Sequence, residues 1–402
     1  MQARSTRTGS RAWIAGIALA LAVVYRAVAQ GAPAYEVWVI DQSDSRGLKH
    51  GGTLYVFAGA RFAGGRTPTA DEATTIDLGG ASSALCRERT GADPIRPHMV
   101  LFNSSFTHAV VAFVASGHVL VLDAATREPV DCLRTTESPT GRQAHAAFPA
   151  PDGSYVLVAN QNGKRLERID SDFGANRFTH SSAATLDLAT CTTPGGKPCQ
   201  AAGLRPDNAP NCPVLTQAGD LAFVTLRGGG MLVVDPRPTP MRIVAEYDMH
   251  TIHGNGCGGM QLGDNLYVNS GGRPGPMEHL HLYGFDVYRF SLGEFRAGRG
   301  PAVNEPAARV VYQVDGTHDS HGMVMVGDSG RYLWVFDRHA DTAEVFATAD
   351  DRHAGSIALN GPLTGNAAPD LSDIAPTGDL VFVALRGPTP LSGDPHNARG
   401  AT

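Results

Sequence analysis

Apolar and polar positions along this chain fall into one short pattern that recurs seven times: "VWVIDQ", "AFVASG", "YVLVANQNG", "AFVTLRGGG", "LYVNSGG", "LWVFDR" and "VFVALRGP". Each string places a large apolar residue before Val and ends in a polar or Gly-rich turn, the spelling of a buried strand that runs into a loop. The shared valines are Val39, Val114, Val158, Val224, Val268, Val335 and Val383, with separations of 75, 44, 66, 44, 67 and 48 residues. Three gaps therefore approach the roughly 40–45 residues of a four-stranded propeller blade. The longer gaps carry turn-rich insertions, at about 176–210 and 271–308.

Within one unit the pattern resolves further. "HMVLF", "AVVAFV", "HVLVLD" and "PVDCLR" spell four successive strands. Seven such units closed around an axis make an all-β, seven-bladed β-propeller, in which closure protects the sheet edges. A six-bladed ring is one competing count. A β-sandwich is the other competitor, but it leaves the blade-length repeat unexplained. The first unit starts at its second strand, and the last shows two strands, so the last blade is predicted to be incomplete at the C-terminus. No long 3.6-residue periodicity competes with these strands after residue 29.

Outside the repeats, Arg4, Arg7 and Arg11 precede "WIAGIALALAVV" and "RAVAQ". This reads as a signal peptide over 1–29, cut after Ala29, with a single propeller domain over 30–402. The competing reading, a membrane anchor, is poorly served by about 12 apolar residues where spanning takes about 20. No Arg-Arg pair marks the twin-arginine route. The expected destination is the periplasm or the exterior. Six cysteines (86, 132, 191, 199, 212 and 257) suit that oxidising setting and allow 15 pairings. Cys191 and Cys199 could staple one insertion, and Cys212 and Cys257 open neighbouring blades at matching positions.

Composition narrows the partners. The chain has 402 residues, 42% hydrophobic and 18% charged, with 47 Gly, 26 Pro and a net charge of −6. With no basic block, nucleic acid and anionic membrane are not expected partners; an unidentified protein or small-molecule ligand is.

In a propeller, the residue that opens an inner strand shares a rim of the central channel with the residue that follows the second strand. Counting back from each Val gives the openers His98, His145, Asn211–Cys212, the segment His253–Cys257, His321 and Asp370. The exits are Asp41–Gln42, Asn160–Gln161, Arg227, Asn269, Asp337–Arg338 and Arg386. His98, His145, His253 and His321 form a candidate set for a copper, iron or zinc ion, since imidazole suits all three. Asp319 or Asp370 is placed to orient one of them. Strand-start histidines also serve simply as caps or blade-to-blade hydrogen-bond donors. Gln42, Gln161, Arg227, Arg386 and Asp370 are the candidate ligand-binding residues. Arginine suits bidentate contact with a carboxylate or phosphate, although both "LRG" arginines equally fit bridging between blades. His250, His279, His281 and His318 read as loop or supporting residues, and His108, His118, His180 and His339 as structural. No G-x-S-x-G elbow and no phosphate loop occurs.

"HAAFPAPDGSYVLVANQNG" resembles the YVTN-type β-propeller repeat, in which an inner strand, a "PDG" turn and a Tyr-Val-rich strand ending in Asn follow one another. The resemblance extends more loosely over most of 35–386 and implies the fold rather than the function. At fold level alone, carotenoid-cleaving oxygenases and selenium-binding or methanethiol oxidase-like propellers hold metals with histidines. A binding or scaffolding module with a polar central pocket is thus the leading expectation. A metal-dependent oxidoreductase is the alternative. A lactonase-like metallohydrolase is third, because channel carboxylates suited to calcium are few.

Overall fold

The structure, a computed structural model, describes residues 34–41, 51–271, 284–298, 302–316, 318–361 and 365–386. The proposed leader, Gln42, His279 and His281 lie outside the described residues.

The seven Val-centred strings build seven separate antiparallel sheets, in chain order around a ring. Blade 1 has three strands (Glu36–Asp41, Thr53–Ala58 and Thr74–Asp77), and blade 7 has two, Pro369–Ile374 and Val381–Leu385. The blades between them have four, with a short fifth strand, Leu186–Asp187, at the outer edge of blade 3. Seven blades is therefore the count, and blade 7 is two-stranded among the described residues.

Each sheet is apolar on both faces because each lies between two others. Val110, Val121, Val156 and Val158 fill the space between blades 2 and 3. Ala222, Val224, Leu157 and Leu166 do the same between blades 3 and 4, and Phe223, Val233, Val268 and Phe290 between blades 4 and 5. The ring closes where Phe382 of blade 7 meets Phe62 at 4.9 Å and Tyr35 at 6.3 Å between ring centroids, both belonging to the first blade region. Such edge-to-face and tilted pairs join blade 7 to the first blade region.

Two features depart from the expected pattern. An α-helix, Ala81–Thr90, follows blade 1 and ends at Gly91, whose left-handed backbone (φ 75°) closes the last turn. Its sequence buries only Ser82, Ser83 and Cys86, so it has no apolar stripe for periodicity to detect. The insertions are also smaller than expected. Arg177–His180 within 176–210 is the fourth strand of blade 3, and Phe285–Ser291 within 271–308 is the third strand of blade 5. Each is flanked by loop-like residues that mask a short strand.

Candidate channel site

Most inner strands begin with the same irregularity. The pairing register shifts between Pro97 and Met99, Ala144 and Ala146, Pro210 and Pro213, Ser320 and Met323, and Pro369 and Ser372. The residues passed over are His98, His145, Asn211–Cys212, His321–Gly322 and Asp370–Leu371. A β-bulge re-aims the side chain it carries, and here five bulges in five blades re-aim polar groups at one end of the inner strands. Opposite each bulge, the residue after the second strand donates its backbone N–H to the carbonyl just before the inner strand. Gln161, Arg227, Arg338 and Arg386 share this position, bonding to Gln143, Ala209, Asp319 and Ala368.

The bulged residues meet. The rings of His98 and His145 lie 4.8 Å apart. His145 Nδ1 donates to the Asn211 carbonyl at 2.9 Å, while Gln161 Nε2 donates to the Asn211 side-chain oxygen. Asn211 Nδ2 in turn donates to Asn255 at 3.0 Å. Across the ring, His321 Nε2 sits 3.2 Å from Asp370 Oδ1. Arg386 reaches Asp370 Oδ2 at 3.2 Å and Arg338 reaches it at 3.8 Å. Arg338 also holds Asp319 with a two-pronged grip, Nε to Oδ2 at 2.9 Å and Nη2 to Oδ1 at 3.0 Å.

The backbone leaves no slack on the blade 6–7 side. A side chain at Gly322, beside His321, would put its Cβ 2.1 Å from the Asp370 carbonyl oxygen. Glycine here is a requirement of close approach between two inner strands.

Burial sets the protonation states. His145 is held down at about 4 and His321 at about 3, burial being the main cause in both. His98 also lies well below its usual value, through burial and then the nearby His145. All three imidazoles are therefore neutral at neutral pH. Burial works against charge on Asp370, but His321, Arg386 and Arg338 outweigh it and hold the carboxyl below the usual range. Burial raises Asp319 despite the Arg338 grip. Two guanidiniums thus face two carboxyl groups, and the cluster carries no large excess of either sign. Several buried polar atoms here have no hydrogen-bond partner, among them His321 Nδ1, Asp370 Oδ1 and Asn269 Nδ2. Gly258 lies against both the His321 backbone carbonyl and the Asn269 side chain. Such orphaned groups are where an ordered water or a ligand fits.

The remaining candidates lie elsewhere. His253 pairs with Asp286 of the third strand of blade 5, at 2.8 Å from Nδ1 to Oδ2. Arg227 turns to the buried Asp207, which Lys164 also contacts at 3.3 Å, and so bridges blades. His318 binds Asp337 at 2.5 Å, and His108 contacts Asn176 at 2.8 Å. Among the described residues, one group of three metal-capable donors lies within 4.8 Å of one another: His145, Cys212 and Cys257. Its two cysteines are joined as a disulfide. Arg338, absent from the candidate ligand-binding set, is central to the cluster. Its signal was its position after the second strand, shared with Arg386 and Gln161.

Cys86–Cys132 and Cys191–Cys199 are the other two disulfides. Three disulfides fit an extracytoplasmic setting. No helix among the described residues is long and apolar enough to cross a membrane.

No family model matches the chain, and no curated protein matches it. Solved structures do. A hydrazine synthase from Kuenenia stuttgartiensis is 14% identical, over 72% of this chain and 74% of that one, with a TM-score of 0.52. The periplasmic gluconolactonase PpgL of Pseudomonas aeruginosa is 15% identical, over 80% of this chain and 81% of that one, with a TM-score of 0.51. At such identities the likeness concerns the fold. The structural likenesses support a β-propeller and not the YVTN family specifically.

Proposed function

We propose that this propeller is a binding module whose channel cluster takes a small, uncharged, oxygen-rich ligand, such as a polyol, a sugar or a lactone. The observation that carries this reading is the placement of three buried, neutral imidazoles, His98, His145 and His321, on β-bulges that open their inner strands, with His321 Nδ1 unpartnered. A neutral imidazole both donates and accepts, which matches hydroxyl groups. The balance of Arg338 and Arg386 against Asp319 and Asp370 gives a carboxylate ligand little advantage. Asp370, Arg386 and Gln161 complete the lining.

Binding is favoured over catalysis by the same basicities. General bases work best with a pKa near the operating pH, and imidazoles held at about 3 and 4 are weak bases at neutral pH. A second reading, lactone hydrolysis, draws on the His321–Asp370 pair and on the gluconolactonase named above. An oxidoreductase using copper, iron or zinc on His98, His145, His253 and His321 has less support, because among the described residues no three of these histidines bring their donor atoms within 4.8 Å of one another.

Residues 1–29 are proposed as a Sec-type leader, cut after Ala29, that delivers the domain 30–402 to the periplasm or the exterior. N-terminal sequencing of the secreted protein tests this, with Gln30 expected first.

Calorimetric titration with D-glucose, D-glucitol and D-gluconate tests the ligand class, alongside a pH-stat assay with D-glucono-1,5-lactone. At least one neutral probe should bind about ten-fold more tightly than gluconate, a difference of about 1.4 kcal/mol. His321→Ala should remove that binding. Equal binding by the variant would defeat the assignment, and rapid lactone turnover abolished by Asp370→Asn would favour the second reading.

A further inference from the structure

The Cys212–Cys257 disulfide differs from the other two in where it lies. Cys86–Cys132 ties a helix to the outer strand of blade 2, and Cys191–Cys199 closes a loop outside blade 3. Cys212 instead sits in the bulge that opens the inner strand of blade 4, and Cys257 just precedes the inner strand of blade 5. Both are buried, at 0% and 3% exposure, and His145 at 8% lies against them. His145 Nδ1 is 4.0 Å from Cys212 Sγ, and the three donor atoms fall within 4.8 Å of one another.

We propose that His145, Cys212 and Cys257 form a reduction-gated site for a soft monovalent ion of the Cu(I) class. While the disulfide is intact the sulfurs are poor ligands, because the thiolate is the metal-binding form. A dithiol reductant delivers two electrons and two protons, breaks the S–S bond to give two thiols, and is itself oxidised to a cyclic disulfide. Cu(I) then displaces both thiol protons and binds two thiolates and one imidazole nitrogen, without a change in its oxidation state. His145 stays neutral and shifts its remaining proton to Nε2 as Nδ1 turns from the Asn211 carbonyl to the ion. Soft thiolate donors select Cu(I). Zinc, by contrast, is almost always four-coordinate in structural sites, and this group offers three donors.

The imidazole needs no deprotonation at neutral pH, since burial already holds His145 at about 4. The inference does not depend on the polyol reading: the two share His145, but Cys212 and Cys257 belong to this site alone.

The test uses the full protein with all six cysteines, reduced anaerobically with dithiothreitol, desalted and titrated with Cu(I) against the competing chelator bicinchoninate. The reduced protein should hold one Cu(I) that the oxidised protein does not. The double variant Cys212→Ser/Cys257→Ser, which keeps the other four cysteines, should lose that ion when reduced. His145→Gln should weaken it by about ten-fold or more. Should the double variant not fold, the oxidised parent serves as the negative control. Equal Cu(I) retention by oxidised and reduced protein overturns the proposal, as does undiminished binding by the reduced double variant. Resistance of Cys212–Cys257 to reduction in the folded protein, read by alkylation and peptide mass, overturns it too. Binding of D-glucitol is unaffected by failure of this test, so the two readings can fail separately.

Discussion

Asp370, in the first bulge residue of blade 7, lies 3.2 Å from His321, in the matching bulge of blade 6. The pair joins two sheets, and it stands where blade 7, two-stranded among the described residues, meets its neighbour. Arg386 pairs with the same carboxylate at 3.2 Å, and Arg338, held by Asp319, approaches it at 3.8 Å.

Removing that charge should therefore be costly. Asp370→Asn keeps the shape but leaves Arg386 without a carboxylate partner among the described contacts. Breaking a buried ion pair costs about 3–5 kcal/mol, and urea unfolding should show a loss of that order. A loss under about 1 kcal/mol, the worth of an exposed pair, would mean that the channel is open to water.

Acid should destabilise the protein earlier than carboxylate titration alone implies. His145 and His321 have folded values of about 4 and 3, below the unfolded value of about 6.5. Between those values the unfolded chain binds more protons than the folded one, so stability falls as pH drops from about 6.5. Each such proton contributes about 1.4 kcal/mol per pH unit. Unfolding followed from pH 7 to pH 4.5 should show this slope, and His321→Gln should flatten it by about one proton. An unchanged slope in the variant would mean that His321 does not bury its neutral form.

Gly322→Ala should disturb the site through the backbone. Its Cβ would lie 2.1 Å from the Asp370 carbonyl oxygen, a rigid neighbour, and overpacking of this kind costs about 1–3 kcal/mol. The expected result is a lowered Tm together with loss of ligand binding at the cluster. Gly196, where no atom lies within 4 Å but the φ is +73°, is the control for backbone strain alone: Gly196→Ala should lower Tm without affecting binding.

The peripheral disulfides should differ in weight. Cys86–Cys132 spans 46 residues and Cys191–Cys199 spans 8. Chain-entropy reasoning gives about 4 kcal/mol for the first and about 2.5 kcal/mol for the second. Paired Cys→Ser variants compared by denaturant unfolding should reproduce that order, and the reverse order would point to strain or residual structure in the unfolded chain.

Much of this was legible in the sequence because a propeller repeats. The seven Val strings fixed the blade count, and counting back from them led to His98, His145, His321 and Asp370, the residues that the bulges now carry. Spacing alone could not choose among partners. Arg227 and Arg386 share the spelling "LRG" and the same backbone bond, yet one turns to Asp207 and the other to Asp370. His253 was counted as an opener, but blade 5 shows no register shift between its inner and second strands, and the residue reaches the third strand. The helix Ala81–Thr90 was missed because its buried face is serine and cysteine rather than an apolar stripe.

The most direct test of the central claim is nitrogen-15 imidazole spectroscopy of the purified protein at pH 6, before and after addition of D-glucitol or D-glucose. The account predicts that His98, His145 and His321 are neutral at that pH, and that the His321 Nδ1 resonance shifts on addition of one of these neutral probes. Imidazoles titrating near pH 6.5, with His321 Nδ1 unmoved by either probe, would contradict it.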